Sequence, residues 1–211
     1  LPRGTTGKCL VLITPDAQRS MNTFLGISAN IDESSIDETA LRDSQWVYLE
    51  GYLAGSDSGC AAAAKLHHLA RQAGIRTALT FSDAAMLNFC RSGIDTLLGD
   101  GVDLLFCNEE EAKAYAGCDS TEAALAALKP LAREIVLTRS EKGAWLWDGQ
   151  QRIDIPATPV KAIDSNGAGD MFAGAYLYAI TQGWSHAQAG HLAARAAARV
   201  VSQFGPRLDQ A

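Results

Sequence analysis

The chain has no block of lysine and arginine, no apolar stretch of membrane-spanning length and no Cys-x-x-Cys pair. The first absence excludes a dedicated nucleic-acid or anionic-membrane surface. The second leaves runs such as Val102-Asp103-Leu104-Leu105-Phe106 far short of a bilayer, so no membrane partner is expected. Five cysteines, Cys9, Cys60, Cys90, Cys107 and Cys118, are scattered and odd in number, which argues against a closed disulfide framework and suits a reducing cytoplasm. Cys107 sits in an apolar run and reads as a small buried hydrophobe. The opening Leu1-Pro2-Arg3-Gly4-Thr5-Thr6-Gly7 has neither an initiator Met nor a signal pattern and reads as the middle of a longer polypeptide. There is no internal repeat and no low-complexity linker. What is present is ordinary: 211 residues, 47% hydrophobic and 20% charged, with a net charge of −6, enough for a real core.

The apolar pattern changes along the chain. Lys8 to Thr14 and Arg19 to Gly26 read as two strands around the turn Pro15-Asp16-Ala17-Gln18. A short helix is expected over Ile36 to Arg42. Strands then alternate with helices: Trp46 to Glu50, a helix from Ser58 to Ala73 ended by Gly74, Arg76 to Phe81, helical segments across Ala84 to Leu98, and Val102 to Cys107 running into a helix from Glu109 to Tyr115. A helix from Thr121 to Ala132 precedes a strand at Glu134 to Thr138. A hairpin follows, Ala144 to Trp147 and Arg152 to Ile155, turning at Asp148-Gly149. Pro156 to Ser165 is irregular, and two long helices, Ala168 to Gln182 and Ser185 to Gln203, close the chain around Gly183. Continuous apolar strands joined by helices predict an α/β fold, a doubly wound and mostly parallel sheet flanked by helices, with ligands at the carboxyl ends of the strands. The expected organisation is a hairpin segment over residues 1–30 and a catalytic α/β domain over 31–211.

The segment that carries chemistry is Asp164-Ser165-Asn166-Gly167-Ala168-Gly169-Asp170, at the junction of a loop and a long apolar helix. Small residues let another molecule approach the backbone. The first N–H groups of a helix lack internal partners and carry partial positive charge, so an anion is the natural occupant. Asp170 would repel a phosphate unless it has another task. Phosphoryl transfer to an alcohol supplies one, because the attacking hydroxyl must lose a proton that a nearby carboxylate can accept. Charge on the transferring group would then be stabilised by the amides of Gly167, Ala168, Gly169 and Asp170. The bland alternative, an Asp that merely complements a helix dipole, is outweighed by the Gly-Ala-Gly neighbours and by Asp164 and Asn166. No G-x-x-x-x-G-K-[ST], no G-x-G-x-x-G after a strand and no protein-kinase signature set is present.

Asp164 to Asp170 resembles the C-terminal signature D-[ST]-x-G-A-G-D of the ribokinase/PfkB carbohydrate and nucleoside kinase family, and Asn166 is similar to its adenosine-kinase-like branch. The resemblance runs from about Thr5 to Leu208. It implies a ribokinase-like fold with part of a small β lid at the N-terminus, ATP and Mg²⁺ as cofactors, and Asp170 as base. It further implies that Asn108 and Glu111, in Asn108-Glu109-Glu110-Glu111, resemble an N-x-x-E motif in which Glu111 organises Mg²⁺ and its waters near the nucleotide phosphates. Thr138-Arg139-Ser140-Glu141-Lys142-Gly143-Ala144 resembles a nucleotide loop usually reading T-x-G-x-x-G-A. Thr138 and Gly143 are then ATP contacts, as is Gly169, and Ser140 replaces the first Gly. Arg139 and Lys142 equally suit solvated surface charges. Ala193 to Arg207 resembles the wall of an adenine pocket, close helix packing being the alternative. By the same resemblance Asp164, Asn166, Val200 and Gly205 correspond to a K⁺ site, and Asn166, Arg19 and Asp170 face the substrate, with Asn22 beside Arg19.

The departure from the family lies at the front. Members place central strands, an Asp and Gly-Gly group and most of the lid before this region, so the 211 residues are not expected to be a competent enzyme alone. The implied partner is a small molecule, an adenosine-like nucleoside or, as alternative, ribose, fructose or a 2-keto-3-deoxy sugar acid. No nucleic-acid partner is implied, and homodimerisation is left open. A non-catalytic nucleotide-binding module is the competing class; retention of Asp164 and Asp170 argues against it.

Overall fold

The computed structural model describes residues 4–208; Leu1-Pro2-Arg3 and Asp209-Gln210-Ala211, at the two ends of the expected segments, lie outside the described residues. The strands are β1 (Lys8–Ile13), β2 (Arg19–Phe24), β3 (Trp46–Glu50), β4 (Arg76–Thr80), β5 (Val102–Asn108), β6 (Ala132–Thr138), β7 (Ala144–Trp147) and β8 (Arg152–Ile155). The helices are α1 (Glu38–Arg42), α2 (Asp57–Gln72), α3 (Ala84–Phe89), α4 (Arg91–Leu98), α5 (Glu109–Ala116), α6 (Thr121–Leu128), α7 (Ala168–Thr181) and α8 (His186–Val201). β1 and β2 pair antiparallel as a separate ribbon, Lys8 opposite Phe24 and Ile13 opposite Arg19. The other strands form a mixed six-stranded sheet in the order β3-β4-β5-β6-β7-β8. β3–β4 and β4–β5 are parallel, and β7–β8 is antiparallel. No helix among the described residues is long and apolar enough to cross a membrane.

Packing divides the described residues into two compact units, one holding residues 4–6 and Gly26–Leu137, the other Gly7–Leu25 and residues 138–208. In the first, Val47, Leu49, Ala78, Leu79, Leu104 and Leu105 are buried along the parallel strands, α2 lies on β3 and β4, and Ile94, Leu97 and Leu98 of α4 are buried as well. These runs are apolar without alternation because helices cover the sheet. α2 starts where the Ser56 hydroxyl accepts the Gly59 N–H at 3.2 Å, and it stops at Ala73, after which Gly74 turns left-handed at φ 69°. The expected helix from Thr121 to Ala132 is corrected: α6 ends at Leu128, a 3₁₀ turn occupies Lys129–Leu131, and β6 already begins at Ala132. Pro130 is the cause, since its ring and missing N–H do not continue an α-helix.

In the second unit the β7–β8 turn is locked by Asp148, whose Oδ1 accepts the N–H groups of Gln150 and Gln151 at 2.8 Å each. Those bonds, Gln151 first, hold its carboxyl below the usual range. α7 and α8 pack around Tyr176, Ala179, Ala189 and Ala193, all buried. At Gly190 an added Cβ would stand 2.7 Å from Ile155, so α8 lies directly on the hairpin. The small residues of α8 at Ala189, Gly190 and Ala193 therefore serve packing.

Candidate active site

The Asp164–Asp170 loop is shaped by one buried carboxylate. Asp164 is 1% exposed, and its two oxygens each accept a backbone N–H, Oδ1 from Asn166 and Oδ2 from Gly205, both at 2.8 Å. The same stretch is fastened from its other side, the Val201 carbonyl accepting the N–H of Ile163 at 2.8 Å and of Asp164 at 3.3 Å. A buried carboxylate is tolerated because these donors replace its water. Gly167 stands at the N-cap of α7 with φ 77°, and a Cβ there would come 2.5 Å from the Pro206 carbonyl oxygen. Only glycine fits both demands.

Beyond Gly167 the helix start lies open. No side chain caps it, and a Cβ added at Gly169 would meet nothing within 4 Å. The Ala168 N–H turns towards the Ser165 carbonyl at 3.4 Å. The amides of Gly169 and Asp170 stand in the first turn, where an α-helix supplies no acceptor, and Asp170 itself is exposed there. The structure thus offers unclaimed amides, the positive end of a 14-residue helix and an accessible carboxylate within one turn.

Four expected site residues meet at this loop. Asp164, Asn166 and Gly205 are joined through the Asp164 carboxylate. Arg19 reaches it from β2, its Nη1 donating to the Ser165 hydroxyl at 3.2 Å, while the Ser165 N–H donates to the Ala17 carbonyl at 3.2 Å. Asn22 lies further along β2, opposite Leu10. Val200 is fully buried; its carbonyl accepts the Gln203 N–H at 3.4 Å, and it is the next residue, Val201, whose carbonyl holds Asp164. Sequence reasoning missed Ala17, Val201 and Pro206, whose parts are played by main-chain atoms and leave no side-chain signal.

The second loop of this unit follows Thr138. The Arg139 N–H donates to the Gly143 carbonyl at 2.7 Å across a 3₁₀ turn at Ser140–Lys142. Gly143 has φ 86°, and a Cβ on it would overlap the Ile155 carbonyl. Ser140, where the family pattern has glycine, adopts φ 50°. A residue with a Cβ thus holds a left-handed backbone angle there, at a cost in strain.

In the first unit, Asn108 caps α5. Its Oδ1 accepts the Glu111 N–H at 2.8 Å, and Glu111 replies with Oε2 to the Asn108 N–H at 3.0 Å and Oε1 to its Nδ2 at 2.7 Å. Glu111 is 5% exposed. This is a full capping box, so the expected metal residue has a structural task. Each carboxylate oxygen retains a second lone pair, which fits contact with Mg²⁺ through water. Among the described residues no group of three or more His, Cys, Asp and Glu side chains could hold a metal ion. Next to this cap, burial pushes the Cys107 thiol well above its usual range, reinforced by the Glu111 charge, which fits an inert core residue.

Comparison with known proteins defines first the fold and then the family. A probable sugar kinase of Rhizobium etli superposes with a TM-score of 0.91 at 32% identity, over 95% of this chain and 62% of that one. The adenosine kinase of Sinorhizobium meliloti gives 0.92 at 31% identity, over 96% and 63%. The adenosine kinase of Schizophyllum commune is 29% identical over 228 aligned residues, 96% of this chain and 63% of its own length. The pfkB family carbohydrate kinase profile matches residues 2–211, and the chain belongs to that family. It spans less than two thirds of the length of each of these three relatives.

Proposed function

We propose that this chain forms the nucleotide-binding and catalytic portion of an ATP-dependent kinase that moves the γ-phosphate of ATP to an alcohol hydroxyl of a nucleoside. The observation that supports it is the α7 start, where exposed Asp170 stands beside the uncapped amides of Gly169 and Asp170. The acceptor oxygen forms a bond to the γ-phosphorus as the bond to the β-phosphate oxygen breaks, and ADP leaves. Asp170 takes the hydroxyl proton, and the helix-start amides hold the charge spread over the transferring oxygens. Asp164 keeps the loop in shape, Thr138 and Gly143 contact the nucleotide, and Arg19 and Asn166 address the acceptor. Mg²⁺, when bound, would neutralise phosphate charge, with Glu111 holding its water shell beside Asn108. K⁺ beside Asp164, Asn166, Val200 and Gly205 is part of the same reading.

A sugar acceptor is the second reading, favoured by the R. etli sugar kinase at similar identity. One assay separates them: ADP release with adenosine, inosine, guanosine, ribose, fructose and a 2-keto-3-deoxy sugar acid side by side. It is run on the 211-residue chain and on the longest reading frame containing it. Asp170→Asn is expected to lower kcat by about 10²–10⁴-fold with an unchanged melting temperature, the loss usual for a general base. Near-wild-type turnover in that variant would end the assignment, and nucleotide binding without transfer to any acceptor would favour a binding module.

A further inference from the structure

Trp145 on β7 is 5% exposed and carries two guanidinium groups, Arg139 at 4.0 Å from the ring centroid and Arg152 at 4.3 Å. The two arginines differ in what else they do. Arg152 donates through Nε to Asp154 at 3.3 Å and is an ordinary surface ion pair. Arg139 has no carboxylate partner among the described residues, and its Nε is buried without any hydrogen-bond partner. The residue as a whole is half-buried, not enclosed. Its backbone is fixed directly after Thr138 by the bond from its N–H to Gly143.

A guanidinium seated over an indole ring, tied at its main chain and lacking an anionic partner is pre-organised for one. Packing alone does not account for leaving a permanent cation partly buried and unpaired, since buried polar groups are as a rule satisfied. The surrounding loop also offers no acidic residue in a position to take it: Glu141 stands two residues on, and the structure gives it no bond to Arg139.

We infer that Arg139 is a binding residue for the phosphate chain of the nucleotide, its fork taking phosphate oxygens while Trp145 seats it. This rests on the nucleotide reading above and adds a charged side chain to the loop after Thr138. The chemistry that it recognises is a di- or triphosphate, not the base or the ribose.

The test is isothermal titration of the protein from the longest reading frame containing the chain, with the non-hydrolysable triphosphate AMP-PNP and, separately, with AMP. Arg139→Met is expected to weaken AMP-PNP binding by about 10–100-fold, the range for a hydrogen bond to a charged group, and to change AMP affinity by no more than about two-fold. Arg139→Lys, which keeps the charge but not the planar fork, should recover part of the loss. Thermal melts accompany each variant; should Arg139→Met fail to fold, Arg139→Lys decides by the same difference between the two ligands. An equal loss for both ligands would mean that Arg139 only supports the fold and would overturn the inference. Unchanged AMP-PNP affinity in Arg139→Met would also overturn it while leaving the kinase reading intact. If that protein, unaltered, binds neither ligand, both fall.

Discussion

Ser140 carries φ 50° in a loop where a side chain is unwelcome. A left-handed non-glycine residue costs roughly 1–2 kcal/mol, and glycine returns part of that to the flexibility of the unfolded chain. Ser140→Gly is therefore expected to stabilise the chain by about 0.5–1 kcal/mol, which moves the melting temperature by roughly 1–4 °C in a chain of this size. A lower melting point in calorimetry would contradict the strain. Gly143→Ala should do the reverse, and severely, because the new methyl group would overlap the Ile155 carbonyl as well as meet an unfavourable φ. The departure at Ser140 was readable in the sequence, as a residue out of pattern. Its backbone angle was not, because nothing in the letters says whether a loop bends to suit serine or serine bends to suit the loop. The Asp164-to-Asp170 loop was the most legible part of the chain. Its small residues and two acids stand close together in sequence, and the structure gives them the uncapped helix start that they suggest.

At the scale of the element, α5 carries an ambiguity that sequence could not resolve. Three consecutive glutamates open that helix, and any of them could favour the dipole. Only the structure shows Glu111 alone folded back on Asn108, both oxygens engaged. This separates two tasks that substitutions can pull apart. Asn108→Ala removes the cap and leaves a buried carboxylate short of partners, so a loss of about 1–2 kcal/mol in urea unfolding is expected. Glu111→Gln can keep the bond from the Asn108 N–H but sets an NH₂ group against the Asn108 Nδ2, so a loss of about 1 kcal/mol is expected. If Glu111 also serves Mg²⁺, the same variant should need more Mg²⁺ for half-maximal activity; an unshifted Mg²⁺ titration would leave the cap as its whole task. The strands were readable because apolar runs in a covered sheet do not alternate. Helix ends were less so: Pro130 closed α6 earlier than its alanines suggested.

For the whole molecule, the buried His67 links stability to pH. Its Nδ1 lies 3.0 Å from the Leu97 carbonyl and its Nε2 3.5 Å from the Thr77 hydroxyl. Burial, ahead of all other causes, lowers its pKa below the ordinary value of 6.5. The unfolded chain then binds a proton that the folded chain refuses, so stability rises with pH through that interval. The contribution is fully present above 6.5 and is lost as pH falls from there towards the lower folded value. Melting temperature should drop between pH 7.5 and 5.5, and His67→Gln should flatten the slope in that range. A slope unaltered by the substitution would assign the effect to other groups. This linkage was invisible in the sequence, where His67 and His68 are simply neighbours; only α2 packing decides which of the two is enclosed.

The grip of Asp164 on Gly205, forty-one positions away, and the fit of Gly167 under Pro206 have a temporal consequence. As the polypeptide leaves the ribosome, the glycine-lined turn emerges well before the residues that close over it. Until Gly205 and Pro206 arrive, the turn has half of its mould, and α7 begins without the lid of backbone that fixes its first residue. The turn thus takes its final shape only once the residues through Pro206 have been made.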